Sequence, residues 1–466
     1  MTETVTVVER PTGEAWDQWQ GTWDSTVAYA KLDAVEHNGA SYIADEPTDA
    51  GDEPGVSPKW DVLAEAAGGD VESDETNMVA GDRLKVQSTG PTVVERVGAT
   101  DFLAGAFVDA CHPVYGAGPA EAGSVNRDAI QAALDDAGTR PVTLSRAGVY
   151  DVAKRSSDPW CVQLPAGAGL VGLSREATQL RLPDATDDGC HLLNVLGDDV
   201  TAARMTLDGN KANQSGGNEG HGLRDSGGHN RLVLFGLRAI DNRHYGIGLQ
   251  DRSTTNKNCT LLDLMLENNE SDGIDVKSME DCTLEHIRAF ANGNKGIDVR
   301  AWGGVYGVLI AEQNSQTGIA MRGNTTDGTT NFVLPNRCTA SSLFAQGNGD
   351  AGVYVDVGHS DHAGEFGLSA VVARGNTGNG VVLRGSATMR IAASGVTARS
   401  NDQSGVQATC HTLALTGCIM VDNLDWGFDN NGEDHNHAVV GNVAQGNGTG
   451  QIQSAGASAL HANNLT

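Results

Sequence analysis

Residues 269–300 read NESDGIDVKSMEDCTLEHIRAFANGNKGIDVR, and this stretch says the same thing twice. GIDVK opens at Gly273 and GIDVR at Gly296, each four residues after an asparagine, Asn269 and Asn292. Working outward, the phrase recurs as GHGLR at Gly220, GIGLQ at Gly246, GIAMR at Gly318, GVYVD at Gly352, GVVLR at Gly380 and GVQAT at Gly405. It decays to GFDNN at Gly427. The asparagine travels with it, as Asn242, Asn314, Asn348, Asn376, Asn401 and Asn423. A third row stands fourteen residues before the glycine: Cys259, Cys282 and Cys338, each followed by threonine.

Each phrase alternates apolar and variable residues, the pattern of a short strand with one buried face. Asparagine tolerates left-handed turns and can bond a stacked neighbour. No repeat of 22 to 28 residues buries its inward face alone, so the coils must stack. The prediction is an all-β chain, a right-handed parallel β-helix. Cys259 and Cys282 then fall in register on neighbouring coils, either as stacked small thiols or at a spacing that permits a disulfide. One segment, Ser124 to Ala137 (SVNRDAIQAALDDA), has helical periodicity, with Ser124 as its expected N-cap. It is expected to cap the solenoid's open end, where an unpaired coil would invite further pairing.

The helix text DAIQAALDDAG and the D-G-N turn in MTLDGNKANQSGGNEGHGL (205–223) resemble the pectate-lyase-like superfamily. That superfamily includes virion tail spikes and polysaccharide-cleaving enzymes. The resemblance spans residues 106–466 and implies the fold; a homotrimer of parallel β-helices is what it implies for assembly.

The amino-terminal region differs. Residues 15–65 hold four of the seven tryptophans. Their pattern resembles small chitin-binding-type carbohydrate modules, through Trp19, Tyr29, Asp33, Val35, Asn38, Gly39, Tyr42, Pro58, Trp60 and Leu63. Aromatic faces stack on sugar rings, which makes Trp16, Trp19, Trp23, Tyr29, Tyr42 and Trp60 candidate carbohydrate-binding residues. The alternative for Tyr29, Tyr42 and Trp60 is the core of a three-stranded mini-sheet. Residues 1–14 read as a tail, 66–105 as an acidic, glycine-rich linker or stalk, and 106–466 as the solenoid.

Aspartate and glutamate number 60 against 31 lysines and arginines, for a net charge of −29, and only 8 of the cations are lysine. Such a field repels phosphate backbones, so no nucleic-acid partner is expected. No apolar run reaches membrane-spanning length, so no membrane insertion is expected. Acid-rich, lysine-poor composition suits a protein that works in molar salt, where repulsion is screened within about 3 Å. The opening residues show neither the basic nor the apolar part of a secretory signal.

The candidate chemistry lies on the two GIDV phrases. Positions three and five share the outer face of the strand, which stacks Asp275 over Asp298 and Lys277 over Arg300. Neighbouring strands are about 4.8 Å apart, so the carboxylates can couple. A retaining glycosidase uses a pair about this close. SDGIDVKS also resembles the acidic-then-lysine segment of some β-helix pectate lyases, with Asp272 as a third carboxylate. Asp275, Asp298 and Lys277 are therefore the candidate catalytic residues. The competing reading is a ladder of solvated, cross-paired charges. A second group, Asp356, His359, Asp361, His362 and Glu365, matches no zinc spacing; no metal and no cofactor is expected.

Together these features point to a surface spike or tail-fibre protein of a virus of a halophilic archaeon. It is expected to sit on the virion, to be released by lysis, and to bind a host cell-surface glycan or glycoprotein. The amino-terminal region is expected to meet other virion proteins. The alternatives are a polysaccharide depolymerase on the same β-helix and a structural capsid turret or decoration protein.

Overall fold

The computed structural model describes residues 19–30, 34–37, 40–44, 46–54, 56–57, 59–64, 83–87, 93–97, 107–155, 158–184, 190–214, 220–249, 255–322, 338–357, 364–385, 389–431, 436–453, 460–462 and 464–465. The chain divides into two compact units, 1–82 and 83–466.

The first unit is a four-stranded sheet, Trp19–Thr22, Ala34–His37, Ala40–Ala44 and Trp60–Ala64 in that order. Tyr29, Val35, Ala44 and Trp60 make its core. Tyr29 and Trp60 are 5% and 6% exposed and meet edge-on at 5.4 Å between ring centroids. Their polar ends are also used: the Asp24 amide donates to the Tyr29 hydroxyl, and Trp60 Nε1 donates to the Asp52 carbonyl. Tyr29 and Trp60 thus take the alternative raised for them, the core of the sheet, and leave little ring surface exposed to a sugar. Tyr42 and Trp23 lie half-buried against that core. Trp16, the side chain of Trp19 and the tail lie outside the described residues.

In the second unit, part of the expected linker forms a hairpin, Arg83–Gln87 with Val93–Val97. The helix spans Gly123–Ala137 and starts from Ala122, not Ser124; no side chain caps it. Ala129, Ile130, Ala133 and Leu134 are buried against the first strands of the solenoid.

The solenoid itself is a thirteen-strand sheet and a twenty-one-strand sheet, parallel in every pairing. The fold is a right-handed parallel β-helix. The larger sheet bends along a line of left-handed residues, Asp263, His286, Ser342 and Ala370, with φ between 50° and 57°. Each coil therefore has three strand segments around one apolar interior.

The two sequence rows are one device. Asn242, Asn269, Asn292, Asn314, Asn348, Asn376, Asn401 and Asn423 each donate from Nδ2 to the next asparagine's Oδ1 at 2.8–3.0 Å. Asn447 ends the ladder. The glycine that follows is required by the same stack. A Cβ on Gly273 would lie 2.6 Å from the Gly296 carbonyl oxygen and 3.0 Å from Asn292 Nδ2.

One register differs from expectation. Leu223 pairs with Ile247, so the first phrase begins at Gly222 and not Gly220. The cysteines are buried thiols outside any disulfide, with the Cys259 amide donating to Cys282 Sγ at 3.2 Å, the stacked-thiol arrangement.

Candidate functional site

Ile274 and Val276 point into the core, as do Ile297 and Val299. Asp275 and Asp298 therefore face outward and pair directly across neighbouring coils. They are not solvated: Asp275 is 0% and Asp298 1% exposed. The expected ladder of solvated charges is corrected to a buried cluster, because long neighbours fold over the acids.

Lys277 Nζ closes on Asp275 Oδ2. Arg300 Nη1 donates to Asp275 Oδ1 and to the Val276 carbonyl, both at 3.2 Å. Arg322 grips Asp298 with two donors, Nε at 2.8 Å and Nη2. Lys295 Nζ and Arg300 Nη2 each stand 3.6 Å from Asp298 Oδ2. Asp272 completes the group; its Oδ1 accepts from the Lys295 amide at 2.8 Å. One carboxylate oxygen from each of Asp272, Asp275 and Asp298 lies within 4.8 Å of the others. Such a triad has the donor set of a hard cation, but here lysine and arginine side chains balance its charge.

The environments of the acids differ. Burial, helped by the charges of Asp275 and Asp298, pushes the Asp272 carboxyl up to about 7, against the pull of Lys295. Burial also opposes ionisation of Asp298, but Arg322, Arg300 and Lys295 outweigh it and hold its carboxyl below the usual range. Burial lowers the Lys277 ammonium against the pull of Asp275.

The cluster continues through residues the strand phrases do not include. Tyr245 bonds Asp275 through its hydroxyl, and Lys277 Nζ stands 6.0 Å from its ring centroid. Burial, with the charges of Asp275 and Asp272, raises the phenol well above its ordinary value. Beside Tyr245 lie His244, at 3.8 Å between centroids, and His221, at 5.1 Å. His191 follows at 4.6 Å from His221. Burial and Arg224, whose Nη1 is 2.8 Å from His191 Nε2, lower the His191 imidazole to about 3. His191 is therefore neutral.

His221, Tyr245, Asp272 and Lys295 each occupy the position before the phrase glycine. Asp272 was singled out as a third carboxylate, but a reading that starts at the glycine passes over Tyr245 and Lys295, and placing the first phrase at Gly220 hid His221 inside it. A row of polar residues preceding glycine on four successive coils was the available signal.

In the second polar group noted in the sequence, Asp356 accepts from the Tyr354 hydroxyl at 2.9 Å, two coils from Asp298. His359, Asp361 and His362 lie outside the described residues.

No protein-family model matches the chain, and no curated protein matches its sequence. Solved structures do match. The mannuronan C-5 epimerase AlgE4 A-module of Azotobacter vinelandii is similar with a TM-score of 0.63 at 20% identity, over 76% of this chain and 99% of that one. The AlgE6 A-module of the same organism gives 0.52 at 18% identity, over 77% and 98%. The catalytic domain of a GH87 alpha-1,3-glucanase gives 0.51 at 10% identity, over 72% and 67%. What is shared is the fold. These matches leave the amino-terminal module to rest on its sequence pattern alone.

Proposed function

We propose that the chain is a virion spike or tail-fibre protein of a virus of a halophilic archaeon, and that it binds an acidic glycan of the host envelope across the face holding Asp275 and Asp298. The charge of that face carries the ligand class. Lys277, Lys295, Arg300 and Arg322 converge on three carboxylates, one of them raised to about 7. The cluster holds more cations than carboxylates on a chain of net charge −29. A locally positive site on a strongly negative molecule attracts an anionic ligand and gives a neutral competitor no such gain. A polymer of uronic acids fits, and the epimerases with the same fold are named for such a polymer. Trp23 and Tyr42 of the first unit keep exposed area for a second glycan contact.

The test is binding of the full chain to polymannuronate and to neutral dextran in molar salt. Selective retention on polymannuronate, weakened by Arg322→Ala, is the expected result. Equal binding to both polymers, or none to either, overturns the acidic-glycan reading; no binding to either favours a structural turret.

A second reading is enzymatic, and one observation favours it. Burial raises the Asp272 carboxyl to about 7 and lowers the Lys277 ammonium, next to the Tyr245 hydroxyl. A carboxyl that exchanges its proton near neutral pH, as Asp272 does, is what proton transfer beside a sugar carboxylate uses. Incubating polymannuronate with the protein in heavy water separates the readings. Deuterium at C5 or a new unsaturated end group means catalysis; an unchanged polymer that still binds leaves recognition alone.

A further inference from the structure

One outer row of the larger sheet runs, coil by coil, through Glu312, Gln346, Arg374, Arg399 and Val421. Elsewhere on this sheet arginine meets an acid, as in Arg238 with Glu267, Arg288 with Glu312 and Arg390 with Glu365. Arg374 and Arg399 do not. They are exposed, they pair in register on neighbouring coils, and among the described residues neither has a carboxylate partner. Like charges stacked across neighbouring strands are unfavourable. This chain carries 60 acids against 31 cations and places none of them here. Asp422 follows at the corner one coil on, but its carboxylate turns over Gly446 on the coil beyond, away from Arg399.

The two arginines also line an open cleft of about 420 Å³, with Gln346, Gly347, Gly375 and Ser400. Gly347, Gly375 and Ser400 turn the chain there, with φ of 64°, 59° and 52°. A Cβ on Gly375 would meet nothing within 4 Å, so the floor between the arginines stays open. Arg374 is held in place: Nη2 and Nε donate to Gln346 Oε1 at 2.7 and 3.0 Å, and its guanidinium lies 5.1 Å from the Phe344 ring centroid. Arg399 makes no hydrogen bond or ion pair with any described residue.

We propose that this cleft binds a sulfate or phosphate group, free or esterified. The donors set the class. Arg374 has spent one edge of its fork on Gln346, which leaves Nη1, while the fork of Arg399 is whole. A planar carboxylate would satisfy the Arg399 fork with both its oxygens and have nothing left for Arg374. A tetrahedral oxyanion has a third oxygen to reach Nη1 across the strand spacing of about 4.8 Å, and the Ser400 hydroxyl stands beside it as a further donor. The anion would replace the missing acid and relieve the stacked like charges. The site lies on a different sheet from Asp275 and does not depend on the ligand of that face.

The experiment is equilibrium dialysis of the full chain in molar potassium chloride against radiolabelled sulfate, phosphate, glucose 6-sulfate and acetate. Saturable binding of one tetrahedral anion per chain is expected, with acetate at least about tenfold weaker. Arg399→Gln should abolish it. Arg399→Lys should also lose at least about tenfold, because lysine keeps the charge but not the fork. Arg390→Gln, on the same strand but paired with Glu365, should leave it unchanged. Tighter binding of glucose 6-sulfate than of free sulfate assigns the esterified anion, and equal binding the free one. A measurement without variants stands beside these: sulfate should protect Arg399 from phenylglyoxal, mapped by mass spectrometry, and leave the rate at Arg390 unchanged. Failure of sulfate, phosphate and glucose 6-sulfate all to bind overturns the proposal. So do acetate binding as tight as sulfate, full binding by either Arg399 variant, and modification of Arg399 at the same rate with and without sulfate.

Discussion

Asp272 and Lys295 occupy the same position on neighbouring coils, and the Lys295 amide donates to Asp272 Oδ1 at 2.8 Å. That single bond leaves Asp272 far less compensated than Asp275 or Asp298, each of which is gripped by several cations. Its neighbours in space are two carboxylates, and the balance of burial against these partners sets its proton affinity.

The consequence is a pH dependence with a definite sign. Asp272 is raised from an unfolded value of about 3.9 to about 7. The stability it contributes is fully present below pH 4 and is lost as pH rises toward 7, because the folded state then ionises a buried acid. Asp272→Asn should melt like the parent near pH 4 and above it at pH 8, by up to about 4 kcal/mol. Thermal melts of both proteins across this range check it. Parallel curves at every pH would contradict the assignment.

Asp298 is the partner shared by Arg322, Arg300 and Lys295. Asp298→Asn takes the carboxylate from half-buried Arg322 and Lys295, while buried Arg300 keeps Asp275, and should cost about 3 kcal/mol. The double change Asp275→Asn and Asp298→Asn should cost more, whereas a solvated charge ladder would have lost only tenths. Urea denaturation is the measurement. A loss under about 1 kcal/mol would mean the acids are hydrated in solution.

Within the asparagine ladder, Asn348 both accepts from Asn314 and donates to Asn376 and to the Ala311 carbonyl. Asn348→Ala strands a donor on one side and an acceptor on the other, at about 2–4 kcal/mol. Asn447, whose amide reaches Gln451 instead of another asparagine, ends the ladder and should cost less on replacement by alanine. Equal losses at both positions would argue against cooperative stacking.

Salt should matter to the whole molecule. With 29 uncompensated negative charges, the melting temperature should rise steeply from low to molar potassium chloride. A flat profile would remove the argument for a halophilic source. The buried cluster around Asp298 is screened least, so Asp298→Asn should remain destabilising at every salt concentration.

The solenoid was legible because its constraint is local and repeated. Each coil needs glycine where the next coil's carbonyl passes and asparagine where the ladder runs, so the same letters return at each turn. The alternation around Asp275 and Asp298 placed both acids on one outer row before any coordinates. Three things were decided only by tertiary structure. The first is the burial of that row, because it depends on how Lys277, Arg300, Arg322 and Tyr245 fold over it from other positions and other coils. The second is the company of His191, His221 and Tyr245, which share a stacking position but no sequence phrase. The third is the fate of Tyr29 and Trp60, whose aromatic rings could serve equally as a sugar platform or as a core. A strand's period states which side a residue faces; only the packed neighbours state whether that side meets water.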